Sequence, residues 1–354
     1  MLPRLHRSFA RPRFIGFGLA CIATAIRLGS RKTSMDATDA DVAEAGEDID
    51  AVLDALSATV IADRELLETV LLGVLARGHV LLEDVPGTGK TLIARSVART
   101  LGLSFSRVQF TPDLLPADVT GTHVYNEGTG EFEFSPGPVF ANVVLADEIN
   151  RAPPKTQAAL LEAMEERQVT ADGETHDLPE PFLVLATQNP VEMAGTFELP
   201  EAQVDRFLVK TAIGYPDEAG ETELLRRRAD RDRRSPTAEE VLSAAAVRAL
   251  QDVPESVRVE EDLLEYLVTL SRATRERSEC DVGVSPRGTQ RFFEATRVRA
   301  VLSGREYVTP EDVKRVARPV LAHRLVLTPD AAVEGVDKRS VIDDVLDEVP
   351  VPTV

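Results

Sequence analysis

Apolar positions divide the chain into a part with alternating element types and a part with helices only. From residue 49 to residue 75, apolar side chains recur at the three- and four-residue spacing of one helix face. Beyond Gly78, short apolar runs of strand length alternate with helical segments. The runs cover residues 79–82, 105–110, 143–146, 182–186 and 208–213. This alternation predicts a parallel sheet with crossover helices.

After residue 215 the pattern predicts helices alone. Ser285 and Thr309 are each followed by a proline, and a hydroxyl cap with proline in the first turn is typical of a helix start. The predicted fold class is therefore α/β, followed by a small all-helical domain. We expect the α/β domain over residues 35–215, a linker over 216–235, the helical domain over 236–330 and a C-terminal tail over 331–354.

The loop after the first strand has the composition of a phosphate-binding loop. Phosphate binding needs backbone N–H groups in a concave turn, a helix N-terminus and a lysine. Gly87 and Gly89 permit the turn, Lys90 would reach the β- and γ-phosphates, and the Thr91 hydroxyl would ligate Mg²⁺. The predicted ATP-binding residues are Asp84, Val85, Pro86, Gly87, Thr88, Gly89, Lys90, Thr91 and Leu92. The standard pattern has glycine where this chain has Asp84, which adds a negative charge near the phosphates.

Two other predicted strands end in polar side chains. Asp147 and Glu148 follow one of them, and Asn189 follows another. Asp147 is placed to hold Mg²⁺ through water, and Glu148 to orient and deprotonate the attacking water, as phosphoryl transfer to solvent requires. Asn189 would bond the γ-phosphate or that water. Each pattern alone also occurs in ordinary turns, so these roles depend on the phosphate-binding loop.

Three segments together resemble the signature of MoxR-type AAA+ ATPases. They are residues 145–166 (LADEINRAPPKTQAALLEAMEE), 186–190 (ATQNP) and 198–207 (ELPEAQVDRF). The resemblance covers about residues 45–350, and it implies the AAA+ P-loop NTPase fold with a helical lid. It also implies that Arg206 is an arginine finger for the neighbouring subunit and that Arg287 is the sensor-2 arginine, contacting nucleotide in cis. Arg151 is a further candidate intersubunit arginine.

The same resemblance implies a function. Proteins of this type look like ATP-hydrolysing chaperones for partners that carry von Willebrand factor A domains. Because a finger supplied in trans requires a neighbouring subunit, we expect a ring, with a hexamer as its form. The ATPase subunit of a magnesium-chelatase-like complex is an alternative, and a DNA-remodelling motor and a nucleotide-gated binding module are weaker ones. The expected cofactors are ATP and Mg²⁺.

Two segments read as β-hairpins inserted into the α/β domain. Residues 121–140 have a glycine-rich centre, and residues 168–178 have Asp172 and Gly173 as a turn. In this clade such hairpins face the central pore or the substrate. The residues alone are equally compatible with a passive role.

The net charge of the chain restricts the kinds of macromolecule that it can bind. The chain of 354 residues has 40 Lys and Arg against 59 Asp and Glu, a formal net charge of −19. Such a surface repels phosphate backbones and anionic lipid, so we expect no nucleic-acid binding and no stable membrane insertion. Lysine accounts for only six of the basic residues. An acidic, lysine-poor surface is typical of halophilic proteins, although a GC-rich genome is an alternative explanation.

The first 34 residues differ from the rest, with seven basic residues and no acidic one. Their apolar run at 14–26 superficially resembles a secretory signal but is too short to span a bilayer as a helix. Because ATP-binding residues serve no purpose where ATP is absent, we expect a cytoplasmic protein. We also expect residues 1–34 to derive from an upstream start codon and to be disordered or absent. Cys280, the one cysteine beyond these residues, fits a reducing compartment.

Overall fold

The computed structural model describes residues 39–85, 87–189, 196–197, 199–230 and 237–352. The expectations for residues 1–34 and for Pro86 lie outside the described residues.

The amino-terminal part of the chain alternates helices and strands. The helices are α1 (Asp39–Thr59), α2 (Arg64–Leu75), α3 (Lys90–Thr100), α4 (Pro116–Thr120), α5 (Pro154–Glu166) and α6 (Glu201–Val204). The strands are β1 (Val80–Glu83), β2 (Phe105–Gln109), β3 (Gly121–Asn126), β4 (Glu131–Pro136), β5 (Val143–Asp147), β6 (Gln168–Ala171), β7 (Glu174–Asp177), β8 (Leu183–Gln188) and β9 (Val209–Thr211).

The carboxyl-terminal part is mostly helical. Its helices are α7 (Glu218–Asp230), α8 (Ala244–Leu250), α9 (Glu261–Ala273), α10 (Pro286–Leu302), α11 (Pro310–Leu321), α12 (Pro329–Glu334) and α13 (Lys338–Glu348), and its strands are β10 (Cys280–Val282) and β11 (Val326–Leu327). Within the described part of the chain, none of the helices has both the length and the apolar composition to cross a membrane.

A five-stranded parallel sheet of order β2-β5-β8-β1-β9 confirms the predicted α/β architecture. Successive residues of its strands face opposite sides: Val143 and Leu145 join the core shared with α1 to α3 and the lid, whereas Val144 and Ala146 join the core shared with α5. Because both faces are covered, the central strands are continuous apolar runs. This is why their positions can be read from the sequence.

Both predicted hairpins are present. β3 pairs antiparallel with β4, and β6 pairs antiparallel with β7. Asp172 and Gly173 join β6 to β7 with φ angles of 51° and 88°. Positive φ at both central residues is the requirement of a tight two-residue hairpin turn, which explains the Asp-Gly sequence.

The carboxyl-terminal part differs from the prediction in three places. The short antiparallel pair β10–β11 interrupts the helices; strands of two or three residues are too short to show a period-two pattern. α7 lies within the predicted linker and has no buried residue, so it lacks the apolar stripe that would reveal it. The predicted tail contains α13 and most of α12, and Val341, Ile342 and Val345 of α13 are buried in the core shared with α1 to α3.

A buried histidine joins the first strand to its neighbours. The Nε2–H of His79 donates to the carbonyl of Met164 (3.1 Å), and its Nδ1 accepts from the N–H of Val184 (3.0 Å). Burial lowers the pKa of His79 to about 3, and the charges of Arg167 and Arg291 act in the same direction. The ring is therefore neutral at pH 7 and connects α5 to the amino ends of β1 and β8.

This histidine makes the fold sensitive to acid. The unfolded chain protonates His79 near its ordinary pKa of 6.5 and the folded protein only near 3. The stabilisation is therefore complete above pH 6.5 and is lost as the pH falls toward 3, by about 2 kcal/mol at pH 5. We expect urea unfolding at pH 7 and pH 5 to show a smaller loss of stability in His79→Gln than in the wild type. An equal loss in both proteins would contradict this assignment.

Candidate active site

The carboxyl ends of three adjacent strands meet at one edge of the sheet. β8 lies between β1 and β5, and Asp84, directly after β1, donates its N–H to the carbonyl of Gln188 (3.0 Å). The hydroxyl of Thr187 on β8 donates to Oδ1 of Asp147 at the end of β5 (2.7 Å). Asn189 follows β8 immediately and is buried. The polar residues that the sequence placed after three separate strands therefore lie at one edge.

The phosphate-binding loop connects β1 to α3. Gly87 and Gly89 have φ angles of 90° and 92°, and a Cβ at either position would meet no atom within 4 Å. Glycine is therefore required for backbone conformation, not for packing, and the space beside both residues is open. The Nζ of Lys90 donates to the carbonyls of Asp84 (2.8 Å) and Val85 (3.1 Å). This arrangement leaves the first turn of α3 and the lysine at the concave side of the loop.

Asp84 has a structural role that the sequence did not reveal. One carboxylate oxygen accepts from the N–H of Val85 (2.7 Å), and the other accepts from the N–H groups of Ile213 and Gly214, both at 3.0 Å. Three backbone donors thus compensate the negative charge that replaces the usual glycine. The carboxylate fastens the phosphate-binding loop to the segment after β9.

The side chain of Asp147 is held by two residues that the sequence analysis missed. Its Oδ2 accepts from the guanidinium of Arg107 on the neighbouring strand β2 (2.6 Å), and its Oδ1 accepts from Thr187. Asp147 is buried, so these partners offset the cost of removing a carboxylate from water. Arg107 lies two residues before Gln109, the register partner of Asp147 on β2, and Thr187 lies on the other neighbouring strand, β8. Both contacts become visible only when the sheet order is known.

Glu148 has an unusual backbone conformation. Its φ and ψ are 56° and 51°, a left-handed conformation that non-glycine residues seldom adopt and that is often found at functional positions. Its N–H donates to the hydroxyl of Thr187 (2.8 Å). Its Oε2 accepts from Nε2 of Gln109 (2.8 Å) and pairs with Nε of Arg151 (3.2 Å). Thr187 therefore binds both acidic residues, and the predicted intersubunit Arg151 lies beside Glu148 of its own chain.

Two oxygen donors at this edge are of the kind that binds a magnesium ion. Mg²⁺ is usually bound by one or two protein oxygens together with phosphates and several waters. Thr91 lies in the first turn of α3, the helix that follows β1. Asp147 ends β5, which is separated from β1 by one strand, β8. These are the residues that could hold the ion, with Arg107 as the second partner of the Asp147 carboxylate.

A pocket of about 490 Å³ lies between α2, the end of β9 and the lid helix α11. Its wall includes Ile213, whose N–H binds Asp84, so the pocket adjoins the phosphate-binding loop. Lys314 and Arg315 of α11 line the opposite wall. The volume is within the range of small-molecule sites. The lining also includes the acidic residues Asp63, Glu65 and Glu311.

Arg206 and Arg287 lie at the other edge of the sheet. The Nε of Arg206 pairs with Oε2 of Glu165 (3.1 Å), and Nη1 of Arg287 donates to Oε1 of the same carboxylate (2.9 Å). Glu165 is near the end of α5, which runs back from the carboxyl end of β5. Two residues later, Arg167 binds the carbonyls of Arg77 and Phe182, which precede β1 and β8. Both arginines thus lie beyond the amino ends of the strands.

This position does not favour the expected cis contact of Arg287 with the nucleotide, and that contact stays a prediction. A four-residue strand such as β1 spans about 13 Å, and the phosphate-binding loop is at its far end. The reason is the orientation of the lid: α10 begins beside α5, whereas α11 faces the pocket next to the phosphate-binding loop. The lid residues that line this pocket come from α11 and α13.

The segment that carries Arg206 is fixed to the lid by a buried arginine. Nε of Arg324 forms an ion pair with Oδ1 of Asp205 (2.9 Å), and its guanidinium also donates to the carbonyls of Phe207 (2.8 Å) and Leu208 (3.2 Å). Burial lowers the pKa of Arg324 to about 10, so it stays charged at neutral pH. The backbone on both sides of Arg206 is therefore held by the lid.

Comparison with known proteins agrees with this architecture. Residues 79–209 match the ATPase family associated with various cellular activities (AAA), and residues 272–345 match the AAA lid domain. The crystal structure of a candidate ATPase from Cytophaga hutchinsonii superimposes with a TM-score of 0.83 at 40% identity, covering 88% of this chain and 97% of that one.

Curated relatives define the family more narrowly. The chain is 46% identical to the uncharacterized protein YeaC of Bacillus subtilis, over 84% of this chain and 92% of the relative. It is 45% identical to the chaperone MoxR1 of Mycobacterium tuberculosis, over 83% and 80%, and 36% identical to the protein MoxR of Paracoccus denitrificans, over 78% and 87%. Together with the AAA and lid matches, these similarities show that the chain belongs to the MoxR-type AAA+ ATPases.

Proposed function

We propose that this protein hydrolyses ATP at the carboxyl edge of the sheet and uses the reaction to remodel a protein client. The observation that supports hydrolysis best is the convergence of Lys90, Asp147, Glu148 and Asn189 at the ends of three adjoining strands. A site for binding alone would need only the phosphate-binding loop. Glu148 has a left-handed backbone conformation, and neighbouring side chains hold its carboxylate in place. It is therefore an additional group suited to act on water.

The nucleotide would lie across the loop and the neighbouring pocket. The residues 84–92 bind the phosphates, with Lys90 leaving the loop carbonyls for the β- and γ-phosphates and the N–H groups of α3 facing them. The pocket between α2 and α11 would take the nucleoside. Mg²⁺, held by Thr91 and Asp147, would supply charge neutralisation on the phosphate oxygens.

Glu148 would orient the attacking water and accept its proton. Gln109 donates to the Glu148 carboxylate and Thr187 fixes its backbone, so its position is set by two other strands. Asn189, next to these acids, would bond the γ-phosphate or the water. Precise placement of this kind contributes strongly to phosphoryl transfer, in which positioning and electrostatics supply most of the acceleration.

The arginines at the opposite edge would complete the active site of a neighbouring subunit. Arg206 lies beyond the amino ends of the strands, so it is too far along the sheet to reach the nucleotide bound by its own chain. Arg287 shares the Glu165 carboxylate with Arg206 and would act from the same side. A head-to-tail contact that joins these two edges repeats around a ring, and we propose a hexamer.

We propose the protein client and the cellular location of this chain by analogy with its family. We propose a partner with a von Willebrand A domain, in line with the chaperone role named for the Mycobacterium relative. A formal net charge of −19 disfavours a nucleic-acid substrate. A cytoplasmic location would provide ATP and Mg²⁺.

The first test removes the proposed base. Glu148→Gln keeps the size and hydrogen-bonding capacity of the side chain but cannot accept the proton. We expect ATP affinity, measured by calorimetry, to remain within a few-fold of wild type, and phosphate release to fall at least about 10²-fold. Unchanged turnover would remove Glu148 from its role.

The second test concerns the threonine that binds both acids. Thr187→Val preserves the shape of the side chain but leaves the Glu148 N–H and the Asp147 carboxylate each without one hydrogen bond. Losing such bonds costs about 1–3 kcal/mol, so turnover should fall about 5- to 150-fold. Thr187→Ser retains the hydroxyl and is expected to keep most of the activity. Equal activity of the valine and serine variants would refute this positioning role.

The third test asks whether active sites are shared between subunits. Arg206→Ala should lower turnover by about 10³-fold or more, as for other arginine fingers. Arg226→Ala, at an exposed arginine on α7, is the control and should retain wild-type turnover. Mixing Arg206→Ala subunits with Glu148→Gln subunits should restore part of the ATPase activity, because some interfaces then combine an intact Glu148 with an intact Arg206. A mixture no more active than its components would contradict a shared site.

A further inference from the structure

We propose that the two hairpins form a zinc site, separate from the nucleotide-binding edge. The ligands are His123 on β3 and Glu174 and His176 on β7, and one donor atom from each lies within 4.8 Å of the other two. The residues come from different hairpins, so their meeting is a property of the fold and not of one local turn. An acidic patch alone would not indicate a metal, but two imidazoles facing one carboxylate form a donor set of mixed chemistry.

A second carboxylate orients the first histidine. Nδ1 of His123 is 3.0 Å from Oδ2 of Asp172, in the turn between β6 and β7. An ionised carboxylate only accepts, so Nδ1 carries a proton, and in the neutral ring Nε2 is then the nitrogen with a lone pair for a metal. That Nε2 is 3.7 Å from Oε2 of Glu174. A metal-ligating histidine typically donates its other N–H to a carboxylate, so the Asp172–His123 pair has the arrangement of a ligand with its supporting residue.

The second histidine is held by packing and has an unsatisfied nitrogen. The ring of His176 stacks on Phe134 with centroids 3.8 Å apart and planes 7° apart. Its Nε2 is shielded from solvent and has no hydrogen-bond partner within the described part of the chain. A buried unpaired nitrogen is unfavourable, and a metal ion would satisfy it. The aromatic contact fixes the ring, which reduces the entropic cost of binding.

The donor set and spacing favour Zn²⁺. Imidazole suits zinc, whereas Mg²⁺ and Ca²⁺ prefer oxygen ligands only. In a tetrahedral site with bonds of about 2.0–2.1 Å, neighbouring donors are about 3.3 Å apart. The His123–Glu174 separation of 3.7 Å is close to that value. Two histidines and one glutamate leave the fourth position for water or for a group from a partner.

The ion would join the two hairpins. His123 is on the hairpin that also exposes Val124, Tyr125 and Phe132 to solvent, whereas Glu174 and His176 are on the other. The side chain of His123 is itself only 16% exposed. Occupation of the site would therefore fix the orientation of an exposed apolar hairpin relative to the rest of the α/β domain.

Zinc titration of the full chain tests this inference. The protein is first stripped with a chelator and then titrated with Zn²⁺ in competition with a chromophoric chelator, in the presence of millimolar Mg²⁺ to occupy the nucleotide-binding edge. We expect one equivalent to bind with submicromolar affinity. His123→Gln and His176→Gln should each weaken that binding by at least about 100-fold, and Asp172→Asn by about 10- to 100-fold. X-ray absorption at the zinc edge should show imidazole scattering.

Glu131→Gln, at an exposed position on β4 outside the cluster, is the matched control and should bind zinc as the wild type does. Circular dichroism checks that each variant is folded, and two independent histidine variants guard against loss of structure in one of them. Absence of submicromolar binding, or equal binding by the wild type and both histidine variants, would overturn the proposal. Either result leaves the proposed ATPase function untouched, because the ligands do not belong to the nucleotide-binding edge.

Discussion

The polarity of one parallel sheet governs the organisation of this molecule. Because all five strands run in the same direction, every carboxyl end lies at one edge and every amino end at the other. The phosphate-binding loop and Asn189 each follow a strand and Asp147 ends one, so they share the first edge whatever their separation in sequence. Arg206 precedes β9 and lies at the second edge. A single chain therefore presents two different halves of the proposed active site on opposite edges, which suits assembly by repeated head-to-tail contact.

The first edge is stable because its charges are paired with the sheet itself. Asp84 binds three backbone amides, Asp147 binds Arg107 and Thr187, and Glu148 binds Gln109. Arg107, Gln109 and Thr187 lie on the two strands next to β5, and two of the three amides that bind Asp84 belong to the segment after β9. Buried carboxylates without such partners would destabilise the fold. The residues that hold the site in place are thus the same ones that hold the strand ends together.

Local patterns predicted the strands, the phosphate-binding loop and both hairpins, because strand burial, glycine conformation and turn chemistry are properties of consecutive residues. They did not predict the partners of the acids. Arg107 and Thr187 are ordinary strand residues until the order β2-β5-β8 places them beside Asp147. The side on which Arg287 lies depends on the packing of the lid against α5, for which the sequence has no periodic signal. α7 was not predicted because a helix without a buried face has no apolar stripe.

The lid connects the two edges. α11 lines the pocket beside the phosphate-binding loop, while Arg324, just after α11, binds the backbone around Arg206. Val313 and Val320 of α11 are packed in the same core as Phe292 of α10, the helix that carries Arg287 in its first turn. A packed core transmits displacement instead of absorbing it. A nucleotide that moves α11 would therefore also move the arginines that we propose for the active site of the next subunit, and in the proposed ring this core would couple each site to its neighbour.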